Sequence, residues 1–318
     1  MPNLVVRLFG APRVTLDDAP IETARRKTLA LLVYLACNSN QPHTRESLAA
    51  LFWAEQSQER AFANLRHALW EINQSLGDGW MDSDRDEIRL IGDIDLDLTR
   101  FHALLAASRD PEADSASRLL SLAQAASLYT DHFLAGFTLK DAPAFDDWSF
   151  FQSESLRRDL ASALESLTYG YCDLNRAPEA IPFARRWLSL DPLNESAQRG
   201  LMTAYELAGE HASALRQYQQ CEATLQKELG VEPEAETKAL HEKIRAGGLQ
   251  AKPSARNNLP SAVTSFIGRE NEAKQVQIEV AQNRLVTLTG SGGVGKTRLA
   301  IESARVLLAH FQQGVWLV

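Results

Sequence analysis

The stretch Gln58–Gly77, QERAFANLRHALWEINQSLG, decides the fold of the first hundred residues. Its apolar residues recur at helical spacing and form one stripe that we expect to face a core: Ala61, Leu65, Ala68, Leu69, Ile72 and Leu76. The helix follows Ser57, and a glycine such as Gly77 is typical just after a helix end. The sequence therefore predicts a long amphipathic helix whose other side is polar.

Shorter patterns on either side of this helix complete a small mixed domain. Residues 4–8 alternate as in a strand, and helical patterns occupy about Arg25–Cys37 and, after the N-cap residue Thr44, about 45–53. Residues 80–90 contain two short strands around an acidic turn, which predicts a β-hairpin, and Ile94, Leu96 and Leu98 predict an edge strand. Three helices followed by a hairpin form a winged helix, in which the third helix can enter the major groove of DNA.

The polar side of the third helix carries residues suited to nucleic acid. Arginine suits guanine and asparagine suits adenine, which favours Arg60 and Asn64 as base readers. Arg66 and His67 suit phosphates. The predicted DNA contacts are Arg60, Ala63, Asn64, Arg66, His67 and Arg85. The alternative is a merely solvated surface, because residues 79–98 carry two arginines against seven carboxylates and should repel phosphates.

Residues 100–245 are expected to be almost wholly helical, with an internal repeat. Four positions recur 34 residues later: Leu167, Tyr171, Ala180 and Ile181 correspond to Leu201, Tyr205, Ala214 and Leu215. This spacing is the tetratricopeptide period, which predicts stacked helical pairs.

A glycine-rich loop near the end of the chain predicts nucleotide binding. Residues 290–297, GSGGVGKT, match the P-loop pattern between a predicted buried strand at 285–289 and a helix from about Lys296. The loop N–H groups cradle phosphates, the lysine reaches the β- and γ-phosphates, and the Thr297 hydroxyl ligates Mg²⁺. The predicted residues are Gly290, Gly292, Gly293, Val294, Gly295, Lys296, Thr297 and Arg298, with ATP or ADP and Mg²⁺ as cofactors.

The P-loop alone does not predict hydrolysis, and no catalytic residue is assigned. The acidic residue that holds metal and water follows a later strand, whereas residues 315–318 are interpreted as lying inside that strand. We therefore interpret the sequence as truncated, and expect poor packing of residues 263–318 and weak or no ATPase activity.

Composition excludes several other classes. The net charge of −8 means that any nucleic-acid site must be local. Cys37, Cys172 and Cys221 are far apart, which argues against a disulfide frame or a metal site. The longest apolar run, Leu29–Cys37, is shorter than the roughly 20 residues of a membrane span, and no signal-peptide pattern occurs. We expect a cytoplasmic protein without a membrane partner.

Three segments resemble the Streptomyces antibiotic regulatory protein family in its large form. Residues 4–98 resemble an OmpR-type winged helix, including ANLRHAL at 63–69. Residues 100–245 resemble the bacterial transcriptional activator domain in the stretches Asp131–Gly136, Phe145–Trp148, Leu190–Glu195 and Glu228–Pro233. Residues 259–318 resemble the opening of a STAND-type NTPase, with Leu259-Pro260 and Ser265–Glu270 ahead of the P-loop.

The resemblance implies a function for each segment. The winged helix would bind promoter repeats in double-stranded DNA, often as tandem protomers, and help recruit RNA polymerase. The NTPase part would act as a nucleotide-gated switch, with Ile267 and Arg269 near the adenine. The expected domains are a winged helix (1–99), an activator domain (100–246), a linker (247–262) and an NTPase fragment (263–318).

The expected fold is therefore multidomain and mainly α. An α+β winged helix is followed by tetratricopeptide-like repeats and the first β–P-loop–α unit of an α/β NTPase. The expected function is a DNA-binding transcriptional regulator, with activation as the expected direction. Two alternatives stay open: a P-loop kinase or ATPase, and a protein-interaction scaffold whose winged helix does not bind DNA.

Overall fold

The structure is a computed structural model that describes residues 3–39, 41–247, 249, 259, 269–291, 294–307, 311 and 314–318. The chain divides into two compact units, Met1–Gly248 and Leu249–Val318. The strands are β1 (Leu4–Arg7), β2 (Arg13–Leu16), β3 (Ala19–Pro20), β4 (His43–Thr44), β5 (Met81–Ser83), β6 (Glu87–Leu90) and β7 (Ile94–Leu96). The helices are α1 (Arg26–Cys37), α2 (Arg45–Trp53), α3 (Gln58–Leu76), α4 (Asp97–Ser108), α5 (Ser115–Leu128), α6 (Pro143–Asp173), α7 (Ala177–Leu190), α8 (Glu195–Leu207), α9 (His211–Glu228), α10 (Ala235–Arg245), α11 (Glu270–Gln282) and α12 (Lys296–Leu307).

Two small sheets frame the N-terminal domain, residues 3–96. The first has the order β3-β2-β1-β7, with β1 antiparallel to β2 and parallel to the edge strand β7. The second has the order β4-β6-β5, and its hairpin pairs Met81 with Leu90 and Ser83 with Ile88. The predicted hairpin and edge strand are confirmed. The predicted extension of the edge strand to Leu98 is wrong, because α4 begins at Asp97.

The three predicted helices of this domain are confirmed. The Thr44 side chain caps α2 by accepting the backbone N–H of Ser47 at 3.1 Å. Gly77 ends α3 with a positive φ of 78°, which side chains disfavour. All six apolar residues of the α3 stripe are buried. Three helices followed by the β5–β6 hairpin form a winged helix.

Helices α4–α10 build a second, helical domain. Successive helices from α4 to α9 pack against one another along the chain. Six of the repeat positions are buried: Leu167, Ala180, Ile181, Leu201, Tyr205 and Ala214. Tyr171 is half-buried and stacks on Phe183 at 5.6 Å. The helical pairs agree with the 34-residue spacing, while their assignment to the tetratricopeptide class stays a prediction.

The two domains share one hydrophobic core. The non-helical segment 129–142 returns to the first sheet, where Leu134 donates its N–H to Leu8 at 2.9 Å. Across the junction, the Phe145 ring lies 5.3 Å from that of Phe52. Phe150 and Phe151, later on the same helix, do not join this core, since both side chains are more than half exposed.

The second unit contains α11 and α12, which pack against each other. The predicted strand at 285–289 is wrong: these residues form no strand, and Leu285 is 85% exposed. A parallel strand is stabilised by ladder hydrogen bonds and by burial on both faces, and neither is present around residues 285–289 in the described part of the chain. Ile267, Gly292 and Gly293 lie outside the described residues.

Two further findings concern the described residues as a whole. None of their helices is both long enough and apolar enough to cross a bilayer. Cys37, Cys172 and Cys221 are free thiols, and burial raises the pKa of both Cys172 and Cys221 to about 11.

Candidate nucleic-acid interface

The apolar stripe of α3 fixes where its polar side points. The stripe packs against α1 and α2, so the opposite side of the helix faces outward. This polar face consists of Arg60, Ala63, Arg66, His67 and Trp70, all of which are exposed. Trp70 is 59% exposed, although a tryptophan usually buries most of its surface. The Trp70 ring lies beside that of His67, with 5.8 Å between the ring centroids.

Local contacts hold several residues at the edges of this face. Asn64 is half-buried, and its amide donates to the side-chain oxygen of Gln56 at 2.7 Å. His67 lies 3.3 Å from the Glu71 carboxylate, which also accepts the Thr28 hydroxyl at 2.6 Å. Asn64 therefore must leave an internal hydrogen bond, or share it, before it can read a base.

Carboxylates of the acidic hairpin make contacts within the hairpin itself. The Asp84 carboxylate accepts the backbone N–H groups of Glu87 at 2.6 Å and Asp86 at 2.8 Å, and these bonds hold the pKa of Asp84 below its usual value. Asp82 lies 3.6 Å from the guanidinium of Arg89. Arg85 is exposed in the turn between these residues. Asp82 is thus paired with a cation, which reduces its repulsion of phosphates, whereas the lowered pKa keeps Asp84 negatively charged.

A cavity of about 430 Å³ separates α3 from the hairpin; we name it the hairpin cleft. Its lining includes Arg66 and Trp70 of α3, Arg45 of α2 and Ser83 of the hairpin. The Arg45 guanidinium donates to the carbonyl of Asp84 at 3.0 Å, which holds the hairpin tip against α2. Two arginines beside an exposed helix face can bind the phosphate backbone of a duplex.

Sequence reasoning did not find Arg45. The residue begins α2 and precedes the hairpin by more than thirty positions, so no local pattern connects the two. The strand pair β4–β6 brings them together, since Thr44 pairs with Glu87. The contact follows from the pairing of residues 43–44 with the hairpin, which is a long-range contact that no local sequence pattern indicates.

The predicted nucleotide loop is partly described. Helix α12 begins at Lys296 as predicted, and the Lys296 ammonium donates to the carbonyls of Gly290 and Ser291 at 2.9 and 2.8 Å. Arg269 donates to the Val294 carbonyl at 2.6 Å, so the structure brings this predicted residue to the loop. Thr297 is exposed and Arg298 is half-buried.

These residues fit a bound phosphate group. Lys296 is the first residue of a 12-residue helix, and anions are stabilised at such a helix start. Gly295 has a positive φ of 79°, and an added Cβ there would lie 3.4 Å from the Arg269 guanidinium. The loop therefore needs a glycine at this position.

The helical domain matches a family model. Residues 96–245 match the family described as the bacterial transcriptional activator domain. We name residues 96–245 the activator domain after this similarity. This activator domain contains all seven helices from α4 to α10.

Curated relatives extend the similarity beyond the activator domain. The chain is 26% identical to the transcriptional regulatory protein EmbR of Mycobacterium tuberculosis over 324 residues, which covers 95% of this chain and 81% of that protein. It is 26% identical to the regulatory protein AfsR of Streptomyces coelicolor, covering 96% of this chain but 33% of AfsR. It is also 28% identical to the transcriptional regulatory protein MoaR1 of Mycobacterium tuberculosis, covering 74% of this chain and 78% of MoaR1.

A solved structure has the same fold. Mycobacterium tuberculosis EmbR in complex with a low affinity phosphopeptide matches with a TM-score of 0.62 and 21% sequence identity, over 90% of this chain and 73% of that one. The activator domain and these relatives together support a transcriptional regulator of the Streptomyces antibiotic regulatory protein type.

Proposed function

We propose that this protein regulates transcription by binding double-stranded promoter DNA through α3 and the β5–β6 hairpin. One observation carries the proposal: the polar face of α3 is exposed beside a hairpin, and the helices of the activator domain leave it uncovered. A helix on this kind of framework fits the major groove, whose width admits one α-helix.

Each side chain has a role that its position supports. Arg60, near the start of α3, reads a guanine edge, and Asn64 reads an adenine after its bond to Gln56 opens. Arg66 and His67 hold phosphates, and Arg85 contacts the backbone from the hairpin tip. Arg45 joins this set from the hairpin cleft. Because the chain as a whole has a net charge of −8, DNA binding depends on such local groups of cations.

The nucleotide switch is the second part of the proposal. Lys296 and the start of α12 bind the phosphates of ATP or ADP, Thr297 contributes a hydroxyl to Mg²⁺, and Arg269 closes the loop from α11. A bound nucleotide supplies charge and binding energy that differ between ATP and ADP. The resemblance that motivates this part also implies recruitment of RNA polymerase and association of protomers on DNA.

The decisive experiment selects bound fragments from a pool of random duplexes. The protein should enrich one motif, and its affinity for that motif should fall with salt as phosphate contacts are lost. A duplex of the same length and shuffled sequence serves as the control. Enrichment of no motif, together with no retention of any duplex at about 50 mM salt, would reject the proposal and favour a protein-interaction scaffold.

The enzyme alternative is tested on the same preparation. A P-loop kinase would transfer phosphate from ATP to a small molecule, so a metabolite panel with labelled ATP should reveal a product. We expect duplex binding without such transfer. Transfer in the absence of duplex binding would replace the regulator by an enzyme.

A further inference from the structure

A second cleft lies on the other side of α3. It has a volume of about 620 Å³ and is bounded by the start of α1, by α3 and by segment 136–141 of the activator domain. We name it the junction cleft. Its basic lining is Arg25, Arg26, Lys27 and Lys140, and Asn64 of α3 forms part of its wall.

The charges in this cleft do not cancel. The one carboxylate in the lining, Asp141, lies 2.8 Å from the Lys27 ammonium and is therefore paired. Arg26 donates to the Thr138 carbonyl at 3.2 Å and covers the ring of Phe137. Arg25 and Lys140 are exposed at the edges of the cleft. A surplus of cations in one cleft stands out in a chain of net charge −8.

The contacts of Lys27 fix the geometry of the cleft. Its ammonium donates to the Phe52 carbonyl at 2.7 Å and to the Asp141 carbonyl at 3.2 Å. The segment that carries Lys140 is therefore tied to the end of α2, and through α2 to α3. The backbone on both sides of the cleft is therefore held in place before an anion enters, which lowers the entropy cost of binding.

The two clefts flank the polar face of α3. Asn64 and Ala68 line the junction cleft, whereas Arg66 and Asn73 line the hairpin cleft. At 100° per residue, these two pairs lie on opposite sides of the helix. A helix in the major groove has a phosphate strand on each side, and cationic clefts on both sides match that arrangement.

We propose that the junction cleft is a phosphate clamp for duplex DNA, in which Arg25 of the winged helix and Lys140 of the activator domain each contact a backbone phosphate. The clamp rests on the proposed function, since it needs the duplex at α3. It gives the activator domain a direct part in DNA binding. It adds affinity without sequence preference, because phosphates are the same at every base pair.

The test measures the slope of log affinity against log salt for the chain with its selected duplex. Arg25→Ala and Lys140→Ala should each reduce the magnitude of the slope by about 1, and the double variant by about 2. Each variant should weaken selected and shuffled duplexes by the same factor. Lys227→Ala is the matched control, because this lysine of the activator domain is also exposed and should leave the slope unchanged.

The two proposals fail in different ways. If Arg66→Ala lowers the slope while Lys140→Ala and Arg25→Ala match the wild type, the clamp is wrong and DNA binding by α3 stands. Binding of inorganic phosphate in the cleft with unchanged DNA slopes would also overturn the clamp. If the wild type binds no duplex, both proposals fail. Unfolding temperatures of the variants should equal that of the wild type, since both side chains are exposed.

Discussion

The Asp97 carboxylate accepts the backbone N–H of Leu8 at 2.7 Å. The same oxygen accepts the N–H of Phe9 at 3.0 Å, and Asp97 is only 3% exposed. Because Asp97 begins α4 and Leu8 follows β1, these bonds join the first sheet to the activator domain. Together with the contacts of Lys27 to Phe52 and Asp141, they hold the two domains against each other.

Replacing Asp97 should destabilise the whole first unit. Asp97→Ala removes the acceptor of three buried N–H groups, those of Leu8, Phe9 and Leu98, and the loss is partly offset because a buried charge disappears. We expect the free energy of unfolding to fall by about 1–3 kcal/mol in urea denaturation. Asp93→Ala is the matched control, since Asp93 is exposed. Equal losses in both variants would contradict a special role for Asp97.

The stability difference between wild type and Asp97→Ala should also depend on pH. Burial raises the pKa of Asp97 in the folded state, while the N–H bonds from Phe9 and Leu8 oppose the rise. Between the unfolded and folded pKa values the folded state binds more protons, so the contribution of Asp97 to stability falls as pH rises. The difference should be largest near about pH 4 and smaller at about pH 7. A difference that grows over this range would be the opposite result.

Two phenylalanines of α6 provide a second stability test. Phe145 is fully buried between the domains, whereas Phe151 is 69% exposed on the same helix. Phe145→Ala should lower the free energy of unfolding by about 3–5 kcal/mol. Phe151→Ala should change it by no more than about 0.5 kcal/mol. Similar effects of the two changes would mean that the shared core does not hold the domains together.

The nucleotide loop makes a binding prediction. Lys296→Ala removes a charge-assisted bond to phosphate, so the affinity for ATP with Mg²⁺ should drop by about tenfold or more in isothermal titration. Lys274→Ala, an exposed lysine on α11, should bind ATP like the wild type. If Lys296→Ala binds ATP with unchanged affinity, this lysine does not contact the phosphates.

The local sequence pattern was sufficient to predict the elements of the winged helix. The bounds of α3 follow from its apolar stripe and from Gly77, and the hairpin follows from alternation around an acidic turn. Each of these features is determined within about twenty residues of sequence. Propensity, capping and burial all favour the same structure there, which is why sequence and structure agree.

Features that depend on contacts between distant segments could not be predicted from the sequence. Asp97 was grouped with an acidic edge strand, yet its carboxylate is buried because it receives N–H groups from residues nearly ninety positions away. Lys140 lies in a non-helical segment whose position is set by Lys27. The exposure of Phe150 and Phe151 also does not follow from their apolar character, because a helix that packs on one side still leaves its other side exposed.

The affinities of Arg60→Ala and Arg66→Ala for the selected and the shuffled duplex test the central claim most directly. If the polar face of α3 lies in the major groove, Arg60→Ala should lose about 1–3 kcal/mol on the selected duplex and much less on the shuffled one. Arg66→Ala should weaken both duplexes alike. Affinities equal to the wild type for both variants on both duplexes would contradict the placement of α3 in DNA.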